Sequence, residues 1–168
     1  MFEGPALTAR GLRLLPARDA DAPFLRSLFE TARPDAAILA AWPDEIRRPF
    51  LDQQFRFQTT HYTRVYPEAD RLLITVDGTP IGRIILSREA EAWCLVDIAL
   101  VPARRGQGFG TLLMQSIQAA ARRARTRCVR LTVDMHNPAR RLYERLGFRV
   151  EEESIPAVAM SWRTRGIS

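Results

Sequence analysis

Arg105-Gly106-Gln107-Gly108-Phe109-Gly110 stands between an apolar run, Leu95-Val96-Asp97-Ile98-Ala99-Leu100-Val101-Pro102, and a helical pattern over residues 111–125. A strand that feeds a glycine-rich turn that feeds a helix is an arrangement that binds phosphate. The first N–H groups of a helix have no intrahelical partner, and the helix dipole adds positive potential there. Glycines bring the backbone close to an anion with no Cβ in the way. Two nucleotide readings of the segment fail. The dinucleotide fingerprint needs G-x-G-x-x-G and an acidic residue about twenty positions on. Here the glycines fall as G-x-G-x-G, and the basic run at 122–130 lies where the acid should be. The Walker pattern needs Gly-Lys-Ser/Thr, and the chain has no lysine.

A second segment narrows the choice: Asn137-Pro138-Ala139-Arg140-Arg141-Leu142-Tyr143-Glu144-Arg145-Leu146-Gly147-Phe148. Together with Arg105-x-x-Gly108-x-Gly110 upstream, it resembles the GNAT superfamily of acyl-CoA-dependent N-acyltransferases. In that family R/Q-x-x-G-x-G/A is the pyrophosphate loop, and N-x-x-A-x-x-L-Y-x-x-x-G-F is the helix that carries the acid tyrosine. The resemblance covers about residues 70–150 well and the N-terminal third loosely. It implies an α/β fold, a mixed and mostly antiparallel twisted sheet flanked by helices on both sides. It also implies acetyl-CoA as acyl donor and transfer of an acetyl group to a primary amine by direct attack. A catalytically silent member, binding acetyl-CoA as a sensor or as a regulator of a partner protein, is the alternative.

The resemblance assigns cofactor binding to Leu100, Val101, Arg105, Gly106, Gln107, Gly108, Phe109, Gly110, Asn137 and Arg140. The loop would hold the pyrophosphate. The pantetheine arm would lie like an extra strand in a gap between the strand ending at Leu100-Val101 and the strand at 128–133. A backbone N–H near residues 98–100 would face the thioester oxygen. Asn137 would bond the pantetheine or cap its own helix. Arg104, Arg140 and Arg141 would meet phosphates or stay in solvent.

Tyr143 is the candidate general acid, since a phenol with an ordinary pKa of about 10 can protonate a departing alkyl thiolate. A tyrosine simply packed in the core is the competing reading. Asp97 is the candidate group for the acceptor amine. It interrupts an apolar run, where a charge is unfavourable unless used or paired, and shares a strand face with Ala99 opposite Ile98 and Leu100. A salt bridge to one of the many arginines is its competing reading. His61, beside Tyr62 and near Tyr66, ranks below Asp97 as a base, and a water chain is a third option.

Composition bounds the rest. A chain of 168 residues with 46% apolar content is read as one domain, residues 1–168. Its N-terminus lacks the basic and apolar stretches of a signal peptide, and no apolar run is long enough to span a bilayer. Cys94 and Cys128 each sit in a strand pattern and read as free buried thiols. The expectation is a soluble cytoplasmic protein without a metal centre. All 25 basic residues are arginine, and the net charge is +6. The densest run, at residues 122–127, ends a helix, where cations are favourable for stability alone. With no helix-turn-helix, RNA-binding strand motif or zinc pattern, no nucleic acid partner and no membrane are expected. The expected partner is a small-molecule or peptide amine of unspecified identity, and a homodimer is left open.

Along the chain, residues 11–15 read as a strand and residues 21–31 as a helix with Phe24, Leu25, Leu28 and Phe29 on one face. Asp44 reads as the cap of a second helix whose Ile46, Phe50 and Phe57 share a face. Strands follow at 71–76, 80–87 and 92–101, the first two joined by an Asp77-Gly78 turn. The helix after the glycine loop should bury Leu113, Ile117, Ala120, Ala121 and Ala124. A strand at 128–133, a helix opened by Asn137-Pro138 and ended by Gly147, and strands at 148–152 and 158–162 complete the pattern.

Overall fold

The computed structural model describes residues 4–164. Strands β1 (Leu12–Pro16), β2 (Asp70–Val76), β3 (Thr79–Arg88), β4 (Ala92–Leu100), β5 (Cys128–Asp134), β6 (Arg149–Ser154) and β7 (Ala157–Arg163) form a sheet in the order β1-β2-β3-β4-β5-β7-β6. Only β4 and β5 run parallel. Helices α1 (Pro5–Thr8), α2 (Ala22–Ala32), α3 (Ala36–Ala40), α4 (Asp44–Val65), α5 (Phe109–Arg123) and α6 (Ala139–Arg145) flank it. The expected α/β class and mostly antiparallel sheet are therefore found. Two short helices, α1 and α3, are additions that the hydrophobic pattern was too brief to announce.

Local chemistry explains most of the connections. Val76 pairs with Thr79 across Asp77 and Gly78, whose φ values of 49° and 79° are those of a type I′ hairpin turn. The parallel step from β4 to β5 needs a crossover, and α5 supplies it. Leu113, Met114, Ile117 and Ala121 of α5 are fully buried in the main core with Ile84, Leu86, Leu95, Val129 and Leu131. Each large side chain so buried contributes roughly 1.5–3 kcal/mol. Ala124 does not join them. It is the C-terminal cap of α5 and exposed, because the helix ends at Arg123, one residue before it. The apolar face expected for α4 is also different. Ile46 and Phe57 are largely exposed (59% and 62%), while Phe50, as expected, packs inward together with Leu51 and Phe55 on Phe29 of α2 and Leu39 of α3. Apolar residues occur at two phases of α4, and the α2–α3 contact takes Leu51 and Phe55 from one and only Phe50 from the other.

Strand β4 carries the two irregularities that matter for function. On its β3 side, Leu86 pairs with Leu95 but Ile85 pairs with Asp97, so Val96 is an extra residue in a β-bulge. Side chains alternate with period two, and one inserted residue reverses which positions face the core. Trp93 and Leu95 face the main core before the bulge, and Ile98 and Leu100 pack against that core after it. Asp97 and Ala99 are turned to the opposite face, beside Ile85 and Arg83. On its β5 side, β4 pairs only from Ala92 to Leu95, with Cys128 to Leu131. Beyond that point the strands part.

Candidate active site

The site forms where β4 and β5 separate. Val101 donates its N–H to the Ile81 carbonyl at 2.8 Å. Backbone groups alternate edges along a strand, so the N–H groups of Ile98 and Leu100 point away from β3, into the gap. The Leu100 carbonyl, on this open edge, accepts from Arg105 Nε at 3.1 Å, and Arg105 Nη2 reaches the Ala32 carbonyl at 3.4 Å. Arg105 thereby braces the end of β4 against the end of α2. The close fit of β4 on β3 depends on Gly82: a Cβ there would lie 2.2 Å from the Ala99 carbonyl oxygen.

The glycine segment follows a short 3-10 turn at Pro102–Arg104. Gly106 and Gly108 have φ of 70° and 82°, conformations that exclude most side chains. Gly108 caps α5, whose ladder begins with the Leu112 N–H donating to the Gly108 carbonyl at 3.1 Å. Among the described residues, the N–H groups of Gly106, Gln107, Gly108, Phe109, Gly110 and Thr111 have no acceptor. A run of unpartnered donors at the start of a 15-residue helix is the kind of arrangement that accepts an anion.

Gap and loop open into one cleft of about 620 Å³. Ile98, Ala99 and Leu100 line one wall, Gly106, Gly108, Gly110 and Thr111 another, and Asn137, Leu142 and Tyr143 a third. Tyr143 is 5% exposed, and its ring packs on Phe148 at 5.8 Å between centroids. Burial first, then the negative charge of Asp97, pushes the Tyr143 hydroxyl up to about 12. Burial and Asp97 also push Tyr62 of α4 up to about 12, against the opposing charge of Arg83. Asp97 thus lies in electrostatic reach of both phenols. It is ion-paired: Arg83 Nε donates to Asp97 Oδ2 at 2.6 Å, and Arg83 Nη2 donates to Gln58 Oε1 of α4 at 2.6 Å.

The structure brings together Tyr143, Leu100, Arg105, Gly106, Gly108, Gly110 and Asn137 around this cleft. The side chains of the others, Asp97 among them, do not line the cleft, although the Gln107 and Phe109 N–H groups belong to the unpartnered run. Phe109 is 4% exposed and packs in the core, with the Arg10 guanidinium 5.1 Å from its ring centroid. Gln107 turns its amide to the Ala103 carbonyl at 2.8 Å. Val101 spends its N–H on β3. Arg140 pairs with Glu144 at 3.0 Å and Glu153 at 2.7 Å, outside the cleft wall. Asn137 Oδ1 accepts from the Ala139 N–H, at the first residue of α6, at 2.9 Å, and Asn137 is also a wall residue. His61 is exposed on α4, and Arg141 is exposed on α6.

Sequence reasoning missed Arg145, His136 and Thr111, which also line the cleft. Arg145 follows Leu142 by three residues, so helical spacing alone could have put it on the same wall. It also missed Gln58 and Arg83, for which a strand arginine next to a glycine gives no signal. Among the described residues, no group of three or more His, Cys, Asp or Glu side chains is placed to hold a metal ion. Among the same residues, no helix is long and apolar enough to cross a membrane.

Solved structures of other proteins share this fold. The PaiA N-acetyltransferase of Thermoplasma acidophilum, solved in complex with coenzyme A, superposes with a TM-score of 0.70 at 16% identity, over 91% of this chain and 99% of that one. An acetyltransferase from Thermus thermophilus gives 0.68 at 24% identity, over 91% and 97%. The ribosomal-protein-S18-alanine N-acetyltransferase of Escherichia coli gives 0.62 at 18%, over 94% and 96%. No curated sequence relative matches the chain. The acetyltransferase (GNAT) family model matches residues 25–148. With that match over most of its length, the chain belongs to the GNAT acetyltransferase family.

Proposed function

We propose that this chain transfers an acetyl group from acetyl-CoA to a primary amine by direct attack. The observation that carries the reading is the run of unpartnered N–H groups from Gly106 to Thr111, opening onto the same cleft as the splayed edge of β4 and Tyr143. A pyrophosphate fits the first, an extended amide-bearing arm fits the second, and a thioester sulfur fits beside the third. Acetyl-CoA supplies the activated acetyl thioester. Gly106, Gly108, Gly110 and Thr111 hold the diphosphate by backbone donors. Of the cleft arginines, Arg33 pairs with Asp35 and Arg105 bonds two carbonyls. Arg145 has no carboxylate partner among the described residues, and it adds positive charge for a phosphate. The Ile98 and Leu100 N–H groups, fixed in direction by the β3 ladder, bond the arm and polarise the carbonyl oxygen as it gains charge.

Tyr143 acts on the leaving sulfur. Its raised pKa keeps the hydroxyl protonated at any working pH, so the donor is always present. The same shift makes it a weaker acid than a free phenol. It therefore stabilises the departing thiolate by hydrogen bonding before it yields its proton. Asp97 binds the acceptor ammonium and takes or relays its proton through water, since only the neutral amine can attack.

The test combines calorimetry with acetyl-CoA and a turnover assay over a panel of small-molecule and peptide amines. The expected result is saturable binding and transfer to at least one amine. Binding without transfer to any amine would favour a cofactor sensor, and no binding at millimolar acetyl-CoA would sink both readings. With the best acceptor, Asp97→Asn should raise KM and lower kcat/KM, an effect that shrinks as pH rises and free amine accumulates. Wild-type kinetics in Asp97→Asn would remove the role given to Asp97.

A further inference from the structure

Arg83 joins helix α4 to strand β4 beside the strand segment Ile98–Leu100 that lines the cleft. Its Nε donates to Asp97 Oδ2 and its Nη2 to Gln58 Oε1, both at 2.6 Å. The side chains are largely covered, 11% exposed for Arg83 and 21% for Asp97. An ion pair in solvent contributes little, because water screens it and two long side chains must be held still. This one is different on both counts. Arg83 is opposite Ala99 in the β3–β4 ladder, so its backbone and that of Asp97 are already fixed by strand pairing. The planar fork of a guanidinium presents donors in fixed directions. With one edge on Asp97 and another on Gln58, it has little freedom left.

From this geometry we infer that Arg83 is the positioning residue for Asp97: it occupies Oδ2, leaves Oδ1 to meet the acceptor amine, and through Gln58 ties that orientation to helix α4. The inference rests on the reading of Asp97 given under the proposed function. Without the guanidinium, the carboxylate regains its rotamers and presents no single oxygen to the acceptor. A lysine at position 83 would be a point charge able to reach one partner but not both, so it restores charge without restoring aim. Gln58→Leu removes only the outer hydrogen bond and should act weakly in the same direction.

The experiment is a set of variants measured with the best acceptor from the amine panel: Arg83→Gln, Arg83→Lys, Gln58→Leu, Asp97→Asn and the double variant Arg83→Gln/Asp97→Asn. Acceptor KM, kcat, acetyl-CoA affinity and thermal midpoint are read for each. Loss of one charge-assisted hydrogen bond predicts a fall in kcat/KM of about tenfold to a hundredfold for Arg83→Gln. The fall should lie in the acceptor parameters, with acetyl-CoA affinity unchanged. Arg83→Lys should recover part of it. Above all, Arg83→Gln should add little once Asp97 is already Asn, because residues that act through one another are not additive.

Equal losses in both backgrounds would overturn the inference and give Arg83 a role of its own. A lowered thermal midpoint with normal acceptor kinetics would also overturn it, leaving a structural ion pair. If Arg83→Gln does not fold, Arg83→Lys and Gln58→Leu carry the same comparison, and normal kinetics in both would count against the inference. The two levels separate cleanly. Wild-type kinetics in Asp97→Asn defeats the reading of Asp97 itself, whereas impaired Asp97→Asn beside unimpaired Arg83→Gln defeats only the positioning role.

Discussion

Replacing Tyr143 by Phe removes one oxygen and should separate stability from turnover. The ring is 5% exposed, belongs to the main core, and packs on Phe148. All of that survives in phenylalanine. The hydroxyl has no hydrogen-bond partner among the described residues and is directed to a cleft, so its loss strands no buried donor. Stability should therefore change by no more than about 0.5 kcal/mol. Turnover should respond otherwise. A shift of the phenol from about 10 to about 12 corresponds to roughly 2–3 kcal/mol of resistance to ionisation. On the proposed mechanism, that resistance keeps a neutral donor beside the leaving sulfur. Removing such a donor typically costs about 10²–10⁴-fold in rate. The assay is release of free thiol under saturating acetyl-CoA and acceptor, alongside calorimetric acetyl-CoA affinity and thermal melting on one preparation. The expected pattern is a kcat lowered by two or more orders of magnitude, with affinity and melting nearly unchanged. Full activity in a folded Tyr143→Phe protein would show that the hydroxyl plays no part in the leaving step. A large drop in melting temperature would show that the hydroxyl is structural.

Three further outcomes are expected. Gly82→Ala should destabilise by about 1–3 kcal/mol and weaken acetyl-CoA binding, since its Cβ would meet the Ala99 carbonyl at 2.2 Å and push away the edge that carries Ile98 and Leu100; denaturant melts and calorimetry check both, and unchanged values would contradict the close fit. Gly108→Asp should weaken acetyl-CoA binding through its negative charge and the strain of φ 82°, and an unaltered affinity in a folded variant would count against the loop as the phosphate site. Tyr62, Tyr66 and Tyr143 all have raised pKa values, so the folded protein holds protons that the unfolded chain releases near pH 10. Their contribution to stability is complete below that pH and is lost as pH climbs towards about 12; ultraviolet titration should show phenolate appearing together with unfolding, and ionisation of all three well before unfolding would refute the burial argument.

Which parts of this molecule could be read from sequence follows from the range of the interactions involved. The Asp77-Gly78 turn, the glycine loop and the Gly147 helix end depend on backbone conformations of adjacent residues, and composition marks them. The alternation that separates Asp97 from Ile98 is equally local. What could not be read is set between strands. The bulge at Val96 and the parting of β4 from β5 beyond Leu95 depend on register with β3 and β5, which no single strand encodes. The Gln58–Arg83–Asp97 chain joins residues 14 and 25 positions apart in sequence. With 25 arginines available, nothing in the sequence singles out the one that pairs. The same abundance drew Arg140, held by two glutamates, into the expected site and left Arg145 out of it.

The extra residue in β4 gives this strand an unusual profile under insertion and deletion. Val96 has no partner on β3, so exchanging its side chain leaves the ladder intact. Removing the residue altogether would leave Leu95 opposite Leu86 and Asp97 opposite Ile85, so every side chain would keep its face. What would vanish is the local kink and added twist that a bulge imposes, at the very point where β4 leaves β5. A straightened β4 could go on pairing with β5 and zip the cleft shut. Position 96 should therefore accept almost any residue, while its deletion should yield a folded protein that has lost its cofactor slot. The number of residues in this strand, more than the identity of any one of them, keeps the sheet open.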